Sequence, residues 1–151
     1  MGLRAEKARQ YFKQGYACSQ AVALAFCDLT TLTEDQIASA TLGFGGGFGR
    51  QRLVCGAVSG MTFIIGAIFS KKENTSDNKL RVYELVRKAC SQFELEFKSL
   101  ICEELLKGAS VNVEKGGVPE KRTDEYYKKR PCDEIVYIAS KIVEDLIEEN
   151  K

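Results

Sequence analysis

The sequence contains no histidine and no tryptophan, and only two of its 151 residues are proline. The absence of histidine excludes Ser–His and Cys–His catalytic pairs, and it excludes histidine ligands for a metal ion or a haem. A general base must therefore be a carboxylate, a lysine, a tyrosine or a thiolate. A strong net charge is also absent, because 22 Lys and Arg residues balance 21 Asp and Glu residues. We therefore expect neither nucleic acid nor a membrane surface as a partner.

The composition is typical of a soluble globular protein, with 44% hydrophobic and 28% charged residues. The length suits one domain, so we expect a single domain over residues 1–151. The N-terminal sequence MGLRAEKARQYFKQGY is charged and amphipathic and lacks the apolar segment of a secretory signal, which predicts a cytoplasmic protein. In that compartment the six cysteines are expected to be free core thiols, metal ligands or redox-active thiols.

The spacing of apolar residues predicts an all-α fold. A Thr33–Gln36 capping box predicts a helix that begins at Glu34. The predicted helices cover residues 3–14, 19–26, 34–42, 54–69, 77–98 and 100–107 and the segment after Pro131, with a polar loop over 109–130. The most regular stripe of helix 77–98 consists of Tyr83, Val86, Cys90, Phe93 and Phe97. These elements predict a compact helical bundle.

The segment VCGAVSGMTFIIGAIF, residues 54–69, is almost entirely apolar. With about 16 residues it is shorter than the roughly 20 that a membrane span needs, and it contains glycine and small polar residues. We therefore predict a buried helix at the centre of the bundle. Gly56 and Gly60 are four residues apart, which leaves a smooth face that another backbone can approach closely.

Two polar or glycine-rich segments are read as loops. GFGGGFGR, residues 43–50, matches neither phosphate-binding glycine pattern, and we expect it to turn tightly so that Cys55 can approach its partners. EKRTDEYYKKRP, residues 120–131, mixes acidic and basic residues around Tyr126 and Tyr127. We expect this segment to pack its tyrosine rings on the bundle rather than to bind nucleic acid.

Four of the six cysteines fall in the first turn of a predicted helix: Cys18, Cys55, Cys102 and Cys132. Free backbone N–H groups and the helix dipole lower the pKa of a thiol at such a position. Nearby cations act in the same direction, since Arg50 and Arg52 flank Cys55 and a basic run ending at Arg130 precedes Cys132. Because the thiolate is both the nucleophile and the metal ligand, these four are the candidate reactive thiols.

The other two cysteines, Cys27 and Cys90, lie in apolar surroundings and are predicted to be small buried hydrophobes. No C-x-x-C occurs, which excludes a thioredoxin-like motif and the paired knuckles of a structural zinc site. Two alternatives remain open for the four candidate thiols. They could serve only as packing residues, or they could converge on an iron–sulfur cluster or zinc.

Several segments carry a family resemblance: GYACSQAV around Cys18, the glycine-rich loop, Cys55-Gly56-Ala57 with Gly60, CEELL at Cys102 and RPC at Cys132. In this order, and over nearly the whole chain, they resemble the redox-active protein family named for the pattern C-GCAxxG-C-C. The strict pattern has Gly before the second cysteine and Ala after it, whereas here Val54 precedes Cys55 and Gly56 follows it. The four signature cysteines correspond to the four candidate thiols.

The resemblance implies redox activity without a particular reaction. We predict a thiol-redox protein whose four cysteines cycle between dithiol and disulfide, with Cys55 as the attacking thiolate. Its partner would be a redox protein or a small thiol, and a homo-oligomer is compatible with the sequence. Two alternatives stand beside this prediction: an iron–sulfur or zinc protein in which Cys18, Cys55, Cys102 and Cys132 are the ligands, and a non-catalytic helical module that binds a partner.

Overall fold

A computed structural model describes residues 2–151 and confirms the all-α prediction. This part of the chain contains no β-strand, only one isolated antiparallel bridge between Val54 and Ile101. It has a short 3-10 helix at Cys27–Leu29 and nine α-helical segments: α1 Leu3–Lys13, α2 Cys18–Leu24, α3 Glu34–Leu42, α4 Gly45–Phe48, α5 Gly56–Phe69, α6 Ser76–Phe97, α7 Cys102–Gly108, α8 Asp124–Lys129 and α9 Cys132–Glu149.

Side-chain caps fix the starts of several helices. The capping box of α3 forms as predicted, since the Thr33 hydroxyl accepts a hydrogen bond from the Gln36 N–H and the Gln36 side chain accepts one from the Thr33 N–H. Helix α8 lies within the segment that was predicted to be a loop. Thr123 caps it by accepting from the Tyr126 N–H. The helix has only six residues and no buried residue, so the sequence contains no apolar periodicity that would predict it.

The apolar helix α5 packs against α2, α6 and α9 at the centre of the bundle, which confirms the predicted buried helix. Its approach to α2 depends on Gly60, where a Cβ atom would lie 2.5 Å from the Ser19 carbonyl oxygen. Met61, Ile64 and Ile65 of α5 are completely buried in the core. Within residues 2–151 there is no helix with the length and apolar character needed to cross a bilayer.

Helix α6 presents a slightly different face to the core from the one predicted. Tyr83 is 57% exposed, whereas Ala89 and Phe93 are completely buried. Ten residues separate Tyr83 from Phe93, which places the tyrosine about 80° around the helix from the buried face. The prediction for Tyr83 is therefore wrong, although Val86, Cys90 and Phe97 pack against the core as expected.

Helix α9 also forms hydrogen bonds with the start of α1. The Glu144 carboxylate accepts hydrogen bonds from the backbone N–H groups of Gly2 and Ala5, both at 2.7 Å. These N–H groups belong to the first turn of α1, where no intrahelical acceptor exists. Burial alone would raise the pKa of Glu144, but these hydrogen bonds hold it below its ordinary value.

Candidate functional site

The four candidate thiols line one cavity of about 300 Å³: Cys18, Cys55, Cys102 and Cys132. Each stands at a helix start, as predicted. Cys18, Cys102 and Cys132 are the first residues of α2, α7 and α9, and Cys55 caps α5. Cys27 and Cys90 do not line the cavity and pack against the core. A larger open groove of about 770 Å³ lies along the loop after α7 and contains no cysteine.

The glycine-rich segment turns tightly and forms part of the cavity wall. Gly46, Gly47 and Gly49 have φ values of 65°, 72° and 62°, a left-handed conformation that glycine adopts readily. A Cβ atom on Gly47 would lie 2.6 Å from the backbone nitrogen of Leu53, so only glycine fits this close approach. The expectation of a tight turn is confirmed, and the segment is not a regular helix although α4 lies within it.

The antiparallel bridge between Val54 and Ile101 joins the starts of α5 and α7. The Cys55 N–H donates to the Leu100 carbonyl at 2.8 Å, and the Cys102 N–H donates to the Leu53 carbonyl at 2.6 Å. These two bonds bring Cys55 and Cys102 to the same cavity although many residues separate them in the chain.

Cys132 and Cys18 are the two cavity thiols whose pKa values are shifted in opposite directions. Hydrogen bonding between the two thiols lowers the pKa of Cys132 and raises the pKa of Cys18. Burial opposes the ionisation of Cys132, but the guanidinium groups of Arg130, Arg122 and Arg52 favour it. Among the four cavity cysteines, Cys132 is therefore the one that ionises most readily.

The other two cysteines of the cavity are held as neutral thiols. Burial raises the pKa of Cys55 to about 12, although the backbone N–H groups of Ala57 and Val58 oppose this shift. Burial also raises the pKa of Cys102, while Arg52 opposes the rise through its Nη1, 3.8 Å from the Cys102 sulfur. The expected lowering of the pKa at all four helix starts is thus found only at Cys132.

The structure does not give Cys55 the properties of an attacking thiolate. Its side chain is buried, with 6% of the residue exposed, whereas Cys132 is only partly buried. Arg52, which flanks Cys55 in sequence, directs its guanidinium to Cys102. The distance in sequence between an arginine and a cysteine therefore does not predict which thiol the arginine contacts.

Three arginines share one carboxylate beside the thiols. The Oε1 atom of Glu120 accepts hydrogen bonds from Arg130 at 2.8 Å, Arg50 at 3.1 Å and Arg52 at 3.4 Å. Burial alone would raise the pKa of Glu120, but its hydrogen bonding and the three cations lower it. Arg50 and Arg52 both adopt positive φ, a conformation that costs about 1 kcal/mol or more for a residue with a side chain. Such strain is typical of functional sites.

Arg122 and Tyr126 also line the cavity, and both come from the segment that was read as a loop. The Arg122 guanidinium donates to the carbonyl groups of Phe12 and Tyr16, both at 3.1 Å, and lies over the Tyr126 ring. The neighbouring Tyr127 donates to the Lys13 carbonyl and meets the Phe12 ring edge-on, which confirms that this segment packs its tyrosines on the bundle. Sequence reasoning missed Arg122 and Glu120, because residues 120–131 look like an ordinary mixed-charge surface.

The cysteines outside the cavity have structural surroundings. The Cys27 thiol donates to the Leu32 carbonyl at 3.4 Å, and burial raises the pKa of both Cys27 and Cys90. Both are half-buried packing residues, in the places where their apolar neighbours predicted them. Cys27 and Cys90 thus differ from the four cavity cysteines, as their positions relative to the helix starts predict.

Metal binding was the alternative role for the four cavity thiols. In residues 2–151, as arranged in this structure, no group of three or more Cys, Asp or Glu side chains has a geometry that could hold a metal ion. The iron–sulfur or zinc assignment for Cys18, Cys55, Cys102 and Cys132 therefore stays a prediction that metal analysis tests.

Comparison with known proteins gives one family. No curated protein and no solved structure matches the chain significantly. The family described as "Putative redox-active protein (C_GCAxxG_C_C)" matches over residues 16–146, a range that contains all four cavity cysteines. The chain therefore belongs to the C_GCAxxG_C_C family.

Proposed function

We propose that this protein is a thiol-redox protein in which Cys132 and Cys18 are the reacting pair. The observation that carries the proposal is the pairing of these two thiols in the cavity that the four family cysteines line. Cys132 is ionised more readily than an ordinary cysteine, and Cys18, in the same cavity, has a raised pKa that keeps it protonated. An attacking thiolate with a neighbouring second thiol is the arrangement that reversible disulfide formation needs.

The reaction begins when the Cys132 thiolate attacks one sulfur of a substrate disulfide, whose S–S bond breaks. A mixed disulfide forms on Cys132 and the first substrate thiolate departs. Cys18 then loses its proton, attacks the Cys132 sulfur and displaces the second substrate thiolate. The proton of Cys18 and one from solvent convert the two products to thiols. The substrate gains two electrons, and the protein loses them and keeps a Cys18–Cys132 disulfide.

Arg130, Arg122 and Arg52 act as positioning residues in this scheme. Their positive charges stabilise the Cys132 thiolate before the attack. Cys55 and Cys102 line the same cavity, and their raised pKa values keep them protonated and reduced while the Cys18–Cys132 disulfide forms.

The test uses protein purified without oxygen and then exposed to a limiting amount of a disulfide reagent. We expect the thiol count to fall by two, reversibly, with a Cys18–Cys132 bond in the peptide map. Cys132→Ser should abolish the reaction, and Cys18→Ser should stop it at the mixed disulfide. Cys90→Ser is the control and should react like the unmodified protein. Unchanged thiol counts in the native protein would refute the proposal.

The same preparation tests the two alternatives. Iron, zinc and acid-labile sulfide are measured per chain before oxidation. A stoichiometric metal that is lost when Cys18, Cys55, Cys102 or Cys132 is replaced would assign these residues as ligands instead. A variant lacking all four thiols that keeps full partner binding and folding would assign the chain as a helical interaction module.

A further inference from the structure

The cavity of the four cysteines carries more positive than negative charge. Four arginines line it, Arg50, Arg52, Arg122 and Arg130, and the only carboxylate in its wall is Glu120. Several guanidinium donors bind neutral carbonyl groups: Arg52 donates to Glu114, and Arg122 donates to Phe12 and Tyr16. A neutral carbonyl accepts a hydrogen bond from the guanidinium group but does not neutralise its positive charge. Arg50, Arg52 and Arg130 share the one carboxylate of Glu120, so positive charge exceeds negative charge among the described residues of the cavity.

Arg50 also has a hydrogen-bond donor without an acceptor. Only 8% of Arg50 is exposed, and its Nε is buried without a hydrogen-bond partner among the described residues. Its other nitrogens donate to the Val118 carbonyl and to Glu120. A buried donor without an acceptor is unfavourable, and an anion that enters the cavity offers one.

The volume of the cavity limits the size of the anion. About 300 Å³ holds on the order of ten to fifteen non-hydrogen atoms, at roughly 20–30 Å³ each. This is the lower end of the range for small-molecule sites and is too small for a folded polypeptide. A single oxyanion would leave most of the space unfilled, whereas a short organic disulfide fills it.

We propose that the cavity binds a small disulfide with an acidic group at each end, and that this dianion is the oxidised substrate of the thiol pair. The inference rests on the proposed function and names its substrate class. The guanidinium groups bind the acidic groups, and the disulfide bond between them meets Cys132. The Cys132 thiolate breaks that bond, Cys18 closes the protein disulfide, and two acidic thiols leave. The two electrons pass from the protein to the substrate, so no further co-reactant takes part in this half-reaction.

Three disulfides of similar length and different charge test the proposal: dithiodipropionate, its uncharged diamide, and the dication cystamine. The rate of oxidation of the reduced protein is measured with each reagent and divided by the rate of a small uncharged thiol with the same reagent. We expect the dianion to exceed the diamide by about tenfold or more and the dication by a larger factor. Added salt should reduce both ratios.

Two variants move the preference in opposite directions. Arg50→Gln removes one cavity charge and one donor, so the ratio of the dianion rate to the diamide rate should fall severalfold. Glu120→Gln removes the competing carboxylate and should increase the preference. Arg50→Lys should restore part of it, and Arg87→Gln on the exposed side of α6 is the matched control.

The outcomes separate the two proposals. If none of the three reagents oxidises the native protein, the thiol-redox function itself fails. If all three react at equal normalised rates, the function stands and the anionic substrate class is refuted. If Arg50→Gln does not fold, the anionic substrate class is still tested by the three reagents on the unmodified protein and by Glu120→Gln.

Discussion

The thiols of Cys18 and Cys132 line the same cavity and shift each other's pKa in opposite directions, although the two residues lie near opposite ends of the chain. Helices α2 and α9 pack against each other and bring their first residues to the same cavity. This arrangement favours the ionisation of Cys132 over that of Cys18.

Replacing Cys18 should weaken the reactivity of Cys132. In Cys18→Ala the thiolate loses the hydrogen bond that contributes most to lowering its pKa. The alkylation rate of Cys132 near pH 7 should fall roughly tenfold for each unit by which that pKa rises. The measurement is alkylation by iodoacetamide at several pH values, read at Cys132 by mass spectrometry. Cys90→Ala should leave the profile unchanged, and an unchanged profile in Cys18→Ala would contradict the assigned pair.

Cys55 should make the protein less stable in alkali. Burial raises the pKa of Cys55 from its ordinary value to about 12, so the folded state holds the thiol proton more tightly than the unfolded state. The stabilisation is complete below about pH 9 and is lost as the pH rises toward 12. This thiol alone should lower the free energy of unfolding by about 1.5 kcal/mol between pH 8 and pH 10.

The comparison with Cys55→Ala isolates that effect from the titration of lysines and tyrosines. Urea unfolding of both proteins at each pH gives the two free energies. The variant should be less stable at neutral pH but should lose less stability in alkali. Equal losses in the two proteins would mean that Cys55 is not buried as a neutral thiol.

Local signals in the sequence were sufficient for much of the fold. The Thr33–Gln36 capping box and the glycines that end or separate helices are decided by neighbouring residues, and the structure agrees with them. The grouping of four cysteines at helix starts was also accessible, since a helix start is a local feature. Their convergence on one cavity depends on how α2, α5, α7 and α9 pack, which no local pattern contains.

The electrostatics of the site could not be predicted from neighbours in the chain. Arg52 is close to Cys55 in sequence but binds Cys102, and Glu120 is bound by Arg50, Arg52 and Arg130. The helix dipole argument also failed at Cys55, where loss of solvent outweighs two backbone hydrogen bonds. Burial is a tertiary property, so the sign of a thiol pKa shift requires the folded structure.

Glu144 should stabilise the junction of α1 and α9. Its carboxylate accepts the N–H groups of Gly2 and Ala5, and only 8% of the residue is exposed. Glu144→Ala leaves both donors without this acceptor and should cost about 1–3 kcal/mol in the free energy of unfolding. Because the pKa of Glu144 is lowered in the folded state, its contribution is present above the ordinary pKa and is lost as the pH falls below it.

Urea unfolding at about pH 7 and about pH 3 checks both statements about Glu144. The difference between the unmodified protein and Glu144→Ala should be larger at neutral pH than in acid. Glu148→Ala is the control, since this residue is exposed and its one ion pair among residues 2–151 is with Lys151. It should change the stability by less than about 0.5 kcal/mol.

The contact between α5 and α2 should tolerate no side chain at Gly60. A Cβ atom there would lie 2.5 Å from the Ser19 carbonyl oxygen, and backbone atoms cannot move aside cheaply. Gly60→Ala should therefore destabilise the protein by about 1–3 kcal/mol. Gly66→Ala on the same helix meets no atom within 4 Å and should be neutral or stabilise by about 0.5–1 kcal/mol, because alanine restricts the unfolded chain.

The same pair of variants links this packing contact to the chemistry. Ser19 adjoins Cys18, and its hydroxyl donates to the Thr41 carbonyl at 2.6 Å, so a shift of Ser19 displaces the Cys18 thiol, which lowers the pKa of Cys132. In folded Gly60→Ala the alkylation of Cys132 near pH 7 should slow severalfold, whereas Gly66→Ala should match the unmodified protein. A Gly60→Ala variant that is destabilised but keeps full Cys132 reactivity would show that the helix contact supports the fold alone. If alkylation slows in Gly60→Ala and is unchanged in Gly66→Ala, the close contact of α5 with α2 is needed to position the Cys18–Cys132 pair.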